Sequence, residues 1–107
     1  MNNNISNIMQ FQSNDNFIER ISADENLTIF LKTWNEQYYS IIFNNYYGVN
    51  INFNIPAEIG EIELIREADW EQPDIKGLAH LIIRDPWDEE VIFSAYVGNY
   101  VIEETVL

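Results

Sequence analysis

Residues 22–48, with the sequence SADENLTIFLKTWNEQYYSIIFNNYYG, decide the predicted fold. Ser22 followed by Glu25 matches the capping box at the start of a helix, and Gly48 suits the position just beyond its end. The stretch therefore predicts a helix over residues 23–45, with Trp34 in the middle of its buried stripe. The apolar side chains that recur at the three- and four-residue spacing of one helix face are Leu27, Phe30, Leu31, Trp34, Tyr38, Ile41 and Ile42.

After Gly48 the hydrophobic period changes to two. Apolar residues alternate with Asn from Val49 onward, which predicts a half-buried strand over 49–55 that Pro56 ends. Residues 59–66 fit either a strand or a helix, and we favour the strand because their apolar residues alternate with acids. Residues 67–77 contain Pro and Gly and predict a loop.

The C-terminal third predicts three consecutive antiparallel strands, over residues 78–84, 90–97 and 100–106. Asp-Pro-Trp-Asp at 85–88 forms a type I turn between the first two strands. Gly98-Asn99 is the two-residue connection of a type II′ hairpin, which would place Phe93 opposite Glu104. A C-terminal β-meander follows from these turns.

Upstream of the long helix, residues 15–21 show helical spacing and predict a short helix. Residues 1–14 are polar and form a tail or a short edge strand, with partial order from about Asn7. The whole chain, 1–107, is predicted to be a single α+β domain. Its long helix packs on an antiparallel sheet of four to six strands.

The composition excludes several classes of protein. The chain has 107 residues, 18 acids against 5 bases, a net charge of -13, one His and no Cys. Without Cys there is no disulfide, thiolate nucleophile or Cys-based metal site. The negative charge repels phosphates and anionic lipids, so we expect no direct nucleic acid or membrane binding. No membrane-length apolar run and no signal-peptide pattern is present, so a cytoplasmic location is expected.

Catalytic chemistry has few candidate residues. His80 lies within a predicted strand and reads as a half-buried structural histidine, and no nucleophile elbow, phosphate loop or His-Glu-x-x-His pair accompanies it. The carboxylate-rich segments lack the frame of a calcium loop. We therefore predict no enzyme, no cofactor and no metal, with a small carboxylate-based enzyme kept as a third alternative.

The charge is concentrated in one half, since thirteen of the 18 acids fall in residues 55–107. There, two segments pair acids with Trp. Such pairs occur on ordinary solvated surfaces that a Trp anchors, but an aromatic anchor ringed by carboxylates also describes an interface with a basic protein. The candidate partner-binding residues are Asp69, Trp70, Glu71, Asp74, Asp85, Trp87, Asp88, Glu89 and Glu90.

A small, Cys-free, acidic, Asn- and Ile-rich domain with Trp-acid loops resembles the immunity proteins of bacterial polymorphic toxin systems, including contact-dependent growth inhibition. The resemblance implies stoichiometric neutralisation of a cognate toxin domain, frequently a basic nuclease. It transfers no site residues, because no motif is shared. The alternative function is a nucleic-acid mimic of the anti-restriction or anti-CRISPR type, whose carboxylates would form a duplex-like double row.

Overall fold

The computed structural model describes residues 7–12, 15–54, 56–65 and 77–105. Within these residues the chain is almost entirely β, with 59% in strands and 5% in a single 3₁₀ helix, Ile8–Phe11. The predicted α+β class and both predicted α-helices are therefore wrong. The strands are β1 (Phe17–Ala23), β2 (Leu27–Lys32), β3 (Tyr38–Phe43), β4 (Tyr46–Ile51), β5 (Ala57–Glu58), β6 (Ile62–Ile65), β7 (Ala79–Arg84), β8 (Val91–Val97) and β9 (Tyr100–Thr105).

The strands form two antiparallel sheets, ordered β5-β1-β2-β3-β9 and β4-β8-β7-β6. Strands were correctly predicted at β6, β7, β8 and β9. The strand predicted over 49–55 begins earlier, at Tyr46, and ends at Ile51. The described residues contain no helix that is long and apolar enough to cross a membrane.

The residues assigned to a long helix form the hairpin β2–β3 instead. Alternate residues of β2, starting at Leu27, are buried, which is the period of a strand. Leu27 and Leu31 also satisfy helical spacing, because residues four apart share one face in either structure. The turn between the strands closes with the Thr33 N–H donating to the Gln37 carbonyl at 2.8 Å. Trp34 lies on this turn and is 70% exposed, so its predicted core position is wrong.

A bent two-stranded ribbon joins the two sheets along one side. The pairing of β3 with β9 continues into β4 and β8 in the same register as far as Tyr47. The connecting residues pair as well, since the Asn44 N–H donates to Asn99 O at 3.0 Å and the Gly98 N–H donates to Asn45 O at 2.8 Å. Both strands therefore cross from one sheet to the other through a bend, as in orthogonally packed sheets.

This ribbon overturns the predicted hairpin at Gly98-Asn99 and the C-terminal meander. β8 and β9 belong to different sheets, and Phe93 pairs with Ile83 and Ile51 rather than with Glu104. Gly48 has a different role from the predicted one at the end of a helix. Its φ of 67° and the register shift between Tyr47 and Asn50 mark a β-bulge, so it bends a strand and does not stop a helix.

Residues 57–61 join the sheets along the other side. Ala57 pairs with Ile18 of β1, and three residues later the Gly60 N–H donates to Arg84 O of β7 at 2.7 Å. The core fills the space between the sheets. Ile8 and Phe11 of the 3₁₀ helix belong to this core, a contribution that the polar composition of residues 1–14 concealed.

Candidate functional site

The turn between β7 and β8, residues 85–90, has a fixed backbone. The Asp85 carboxylate oxygen Oδ1 accepts hydrogen bonds from the Trp87 N–H at 3.2 Å and the Asp88 N–H at 2.8 Å. The Asp85 N–H donates to Glu90 O at 3.0 Å and closes the turn. Glu89 completes it with a left-handed backbone, φ 59°. An Asp at the start of a turn suits this role because its short side chain reaches the backbone N–H groups ahead of it.

The turn lies directly on the 57–61 segment. A Cβ atom added to Gly60 would lie 2.5 Å from the Asp85 carbonyl oxygen and 2.7 Å from the Pro86 Cα. Such distances are far below van der Waals contact, so only Gly allows this approach. The 57–61 segment thus fixes the turn relative to both sheets.

The side chains of the turn point outward. Trp87 is 72% exposed, and Asp88, Glu89 and Glu90 are exposed as well. The carboxylates of Asp85, Asp88 and Glu90 lie within 4.8 Å of one another. Converging carboxylates can hold a cation, but exposed acids adopt this arrangement without one, so the absence of a metal stays a prediction.

Positive charge is scarce around this turn in the part of the chain that the structure describes. Arg84 Nη1 donates to Glu63 Oε1 at 2.5 Å, which is the one ion pair among the described residues. This hydrogen bond is the main reason that the pKa of Arg84 is raised, and the negative charges of Glu61 and Glu89 act in the same direction. The other two described bases, Arg20 and Lys32, lie on the opposite sheet with their charges over the rings of Phe30 and Tyr38.

The structure brings together five of the nine residues predicted for partner binding. Asp85, Trp87, Asp88, Glu89 and Glu90 form one exposed surface, which we call the 85–90 turn. The other four, Asp69, Trp70, Glu71 and Asp74, lie outside the described residues. His80 is half-buried on the outer face of the four-stranded sheet, where its ring stacks on Tyr96 at 4.4 Å.

A second turn of the same kind escaped the sequence interpretation. Residues 33–37 join β2 to β3 and carry Trp34-Asn35-Glu36, which matches Trp87-Asp88-Glu89 of the first turn. Both Trp side chains are about equally exposed, and Glu36, like Glu89, has a left-handed φ, 62°. The signal was the repeated Trp-Asx-Glu tripeptide, which the helix assignment of residues 23–45 hid.

The two turns lie at the same end of the molecule. Lys32, just before the 33–37 turn, pairs with Phe17, and Phe17 pairs with Glu58 at the start of the 57–61 segment. The other end of that segment bonds to Arg84, just before the 85–90 turn. The turns therefore flank one short stretch of chain.

No family model, curated protein or solved structure matches this chain.

Proposed function

We propose that this protein neutralises a basic toxin domain by stoichiometric binding, with the 85–90 turn as an anchor of the interface. The single observation that carries the proposal is Trp87, which is 72% exposed at the crown of a turn that also carries four carboxylates. The resemblance to immunity proteins supplies the class of partner. A cytoplasmic site of action and the absence of catalysis belong to the same proposal.

Exposure of Trp87 supports binding because the side chain adds little to the core of this protein. Burying a Trp removes on the order of 150–250 Å² from water, and aromatic anchors of this kind dominate the affinity of protein interfaces. In the free protein most of the Trp87 side chain stays in contact with water, so the free energy of its burial remains available for binding. A partner with a matching apolar pocket would realise it.

The rigid backbone of the turn supports the same function. Asp85 holds two N–H groups of the turn, and Gly60 lets the turn rest on the 57–61 segment. A loop that is already ordered loses less conformational entropy on binding. The turn therefore presents Trp87 and its acids in one arrangement.

The charge of the turn selects a basic partner. Glu61 lines the same depression as Asp85 and Glu89, so the acidic surface extends beyond the turn itself. Opposite charge accelerates encounter with a basic protein, and like charge rejects other acidic proteins. A nucleic-acid mimic would instead need carboxylates in two spaced rows, whereas three of these carboxylates converge around one point.

The test is to search the genes beside this one for a toxin domain and to co-express that domain with the wild-type protein or with the double variant Asp88→Lys/Glu89→Lys. We expect wild type to restore growth and the variant to fail while remaining folded, because exposed turn substitutions change stability by only about 0.5 kcal/mol. Binding of the purified toxin domain should weaken in parallel.

The matched control is Asp24→Lys/Glu25→Lys. These two acids are also adjacent and exposed in a turn, between β1 and β2. The control makes the same change in net charge at the end of the sheet away from both Trp turns. Equal loss of neutralisation by both variants would show that total charge matters rather than the 85–90 turn, and the absence of a neighbouring toxin that this protein neutralises would refute the function.

A further inference from the structure

The surface between the two Trp turns is continuous. Trp34 lines one depression together with Gln10 of the 3₁₀ helix. Gln12, directly after this helix, lines a second depression together with Asp85 of the other turn. The 3₁₀ helix and the 57–61 segment therefore both lie between the turns. We call the four segments, residues 8–12, 33–37, 57–61 and 85–90, the two-Trp surface.

The two turns lie close enough for one partner to cover both. Neighbouring strands are about 4.8 Å apart, and each residue of an extended chain spans about 3.4 Å. The path from Lys32 to Arg84 crosses three backbone pairings and two residues of the 57–61 segment, so it is about 21 Å long. A standard interface buries about 800 Å² of each protein, which is a patch roughly 30 Å across. Both turns therefore fall within the footprint of a single partner.

Each turn exposes a large aromatic side chain. Trp34 and Trp87, at 70% and 72%, are the most exposed large apolar residues in the part of the chain that the structure describes. A depression of about 460 Å³ lies beside Trp34, and Phe17 and Pro56 contribute to its walls. Clefts that hold ligands commonly enclose about 300–1,000 Å³. The 33–37 turn thus offers both an anchor and an apolar cleft next to it.

The charge of the two-Trp surface has one sign. Its four segments contain seven acids and no Lys, Arg or His. Lys32 and Arg84 border it, and Arg84 is already paired with Glu63. A second copy of this protein would therefore bring like charge to the surface, which is unfavourable, whereas a basic protein would bring opposite charge.

A pair of carboxyl groups beside the 57–61 segment favours a cationic contact. Burial raises the pKa of Glu58, and its hydrogen bond with Asp15 and the negative charge of Asp15 raise it further. Two carboxyl groups at this separation repel each other when both are ionised. A Lys or Arg side chain of a partner would attract both groups at once and remove this cost.

We propose that the two-Trp surface docks one basic protein through two aromatic anchors, Trp34 and Trp87, with basic side chains of the partner facing the acids between them. That this partner is a toxin domain rests on the proposed function, whereas the second anchor rests on the geometry of the 33–37 turn. Once one turn has docked, the other is held near its own contact on the partner, so the second contact forms at a high effective concentration.

The first test needs no toxin and uses a synthetic peptide as the probe. The peptide has two Lys-Leu-Lys units joined by Gly-Ser-Gly, and its nine residues span about 30 Å when extended. In an NMR titration of the ¹⁵N-labelled protein, we expect saturable shifts of the Trp34 and Trp87 indole N–H groups with one dissociation constant. A single Lys-Leu-Lys unit should bind at least tenfold more weakly, because it engages one turn at a time.

The matched control peptide replaces both Leu residues by Ser and keeps the charge. It should cause no saturable shift of either indole. Trp34→Ala and Trp87→Ala should each reduce the affinity of the two-unit peptide to that of the single unit. Equal affinities of the one-unit and two-unit peptides, or equal responses to the Leu and Ser peptides, would overturn the proposal. Indole shifts that change with protein concentration alone would also overturn it, since a second copy would then cover the surface.

The second test measures the dissociation constant of the toxin domain used in the growth assay. Trp34→Ala and Trp87→Ala should each weaken binding roughly tenfold or more, as expected for aromatic anchors, and Trp34→Phe should retain most of the affinity. Tyr47→Ala is the control, because Tyr47 is 46% exposed on β4 and lies outside the two-Trp surface, and it should leave affinity unchanged.

The two tests separate this inference from the proposed function. Toxin binding that depends on Trp87 but not on Trp34 would overturn the inference and leave the proposed function standing. Peptide binding across both turns by a protein that neutralises no toxin would refute the proposed function and support the two-Trp surface as a docking site for a basic protein of another kind.

Discussion

Two glutamates, Glu36 and Glu89, adopt a backbone conformation that other turns give to Gly or Asn. Their φ values are 62° and 59°. The left-handed conformation costs a residue with a side chain roughly 1–2 kcal/mol relative to the right-handed one. Strain of this kind is concentrated at functional positions, which agrees with the placement of Glu89 in the proposed interface.

We expect Glu36→Gly and Glu89→Gly each to raise the free energy of unfolding by about 0.5–1 kcal/mol, because relief of the strain exceeds the added flexibility of Gly in the unfolded chain. Urea denaturation measures the change. Glu25→Gly is the control. Glu25 has no positive φ, so this substitution should lower the free energy of unfolding or leave it unchanged. If both Gly variants are less stable than the wild-type protein, the Glu side chains contribute more to stability than the left-handed backbone costs, and the prediction is wrong.

The two exposed Trp residues, Trp34 and Trp87, are expected to contribute little to the stability of the fold. Trp34→Ala and Trp87→Ala should each change the free energy of unfolding by less than about 1 kcal/mol, as is usual for surface positions. Phe93→Ala should cost about 3–5 kcal/mol, because Phe93 is fully buried between the sheets and its loss leaves a cavity. A large loss at either Trp, measured by thermal or urea unfolding, would identify that side chain as a structural anchor.

At the scale of the elements, local sequence identified the strands of the second sheet better than those of the first. β7 and β8 contain several Ile and Val residues and a single short turn separates them, so the local sequence indicated two strands. In β2 and β3 the apolar residues fit the helical period as well as that of a strand, although Thr28 and Ile29 are β-branched and favour a strand. Asn35 in the middle of the supposed helix also indicated a turn.

The bend that joins the sheets could not be predicted from local sequence. Gly98-Asn99 has the composition of a hairpin turn, and only the pairing of Asn44 and Asn45 with these residues shows that the chain continues. That pairing joins residues more than fifty positions apart. Of the candidate site, the 85–90 turn was found because acids and Trp are adjacent in sequence, whereas the 33–37 turn lay inside the residues predicted to form a helix.

Gly60 allows the 85–90 turn to pack closely against the 57–61 segment. Gly60→Ala should destabilise the protein by about 1–3 kcal/mol, the usual effect of overpacking. The obstructing atoms belong to the backbone of Asp85 and Pro86, which cannot rotate away. Gly98→Ala is the comparison, because the nearest atom there is the side-chain oxygen of Asn44, and Gly98→Ala/Asn44→Ala should recover part of the loss. Equal tolerance of both Ala substitutions in urea unfolding would contradict the close seating of the turn.

The charge of the whole molecule, -13, makes stability sensitive to pH. Glu58 adds a specific contribution, because burial raises its pKa and the hydrogen bond and negative charge of Asp15 raise it further. A carboxyl group with a higher pKa in the folded state binds its proton more tightly when folded. Its stabilising contribution is therefore present below the unfolded pKa and is lost as the pH rises through the folded pKa.

We expect the melting temperature to rise as the pH falls from 7 towards 5, and Glu58→Gln to raise it at pH 7 and flatten this dependence. Differential scanning calorimetry across that range measures both. Glu25→Gln removes an equal charge from the exposed β1–β2 turn and separates the local effect from the general relief of repulsion. An identical pH profile for the two variants would show that net charge alone is responsible.

The bent ribbon also governs when this protein can fold. Each sheet contains strands from distant parts of the chain. β9 pairs with β3 at the edge of the first sheet, and β4 is held in the second sheet by its pairing with β8. Contacts of such long sequence separation slow folding to the millisecond-to-second range seen for other β proteins. During synthesis at roughly 5–20 residues per second, the four-stranded sheet would lack a central strand until β8, Val91–Val97, had emerged, and the five-stranded sheet would lack an edge strand until β9, Tyr100–Thr105, had emerged. Folding of both sheets is thus expected to follow translation of this domain rather than accompany it.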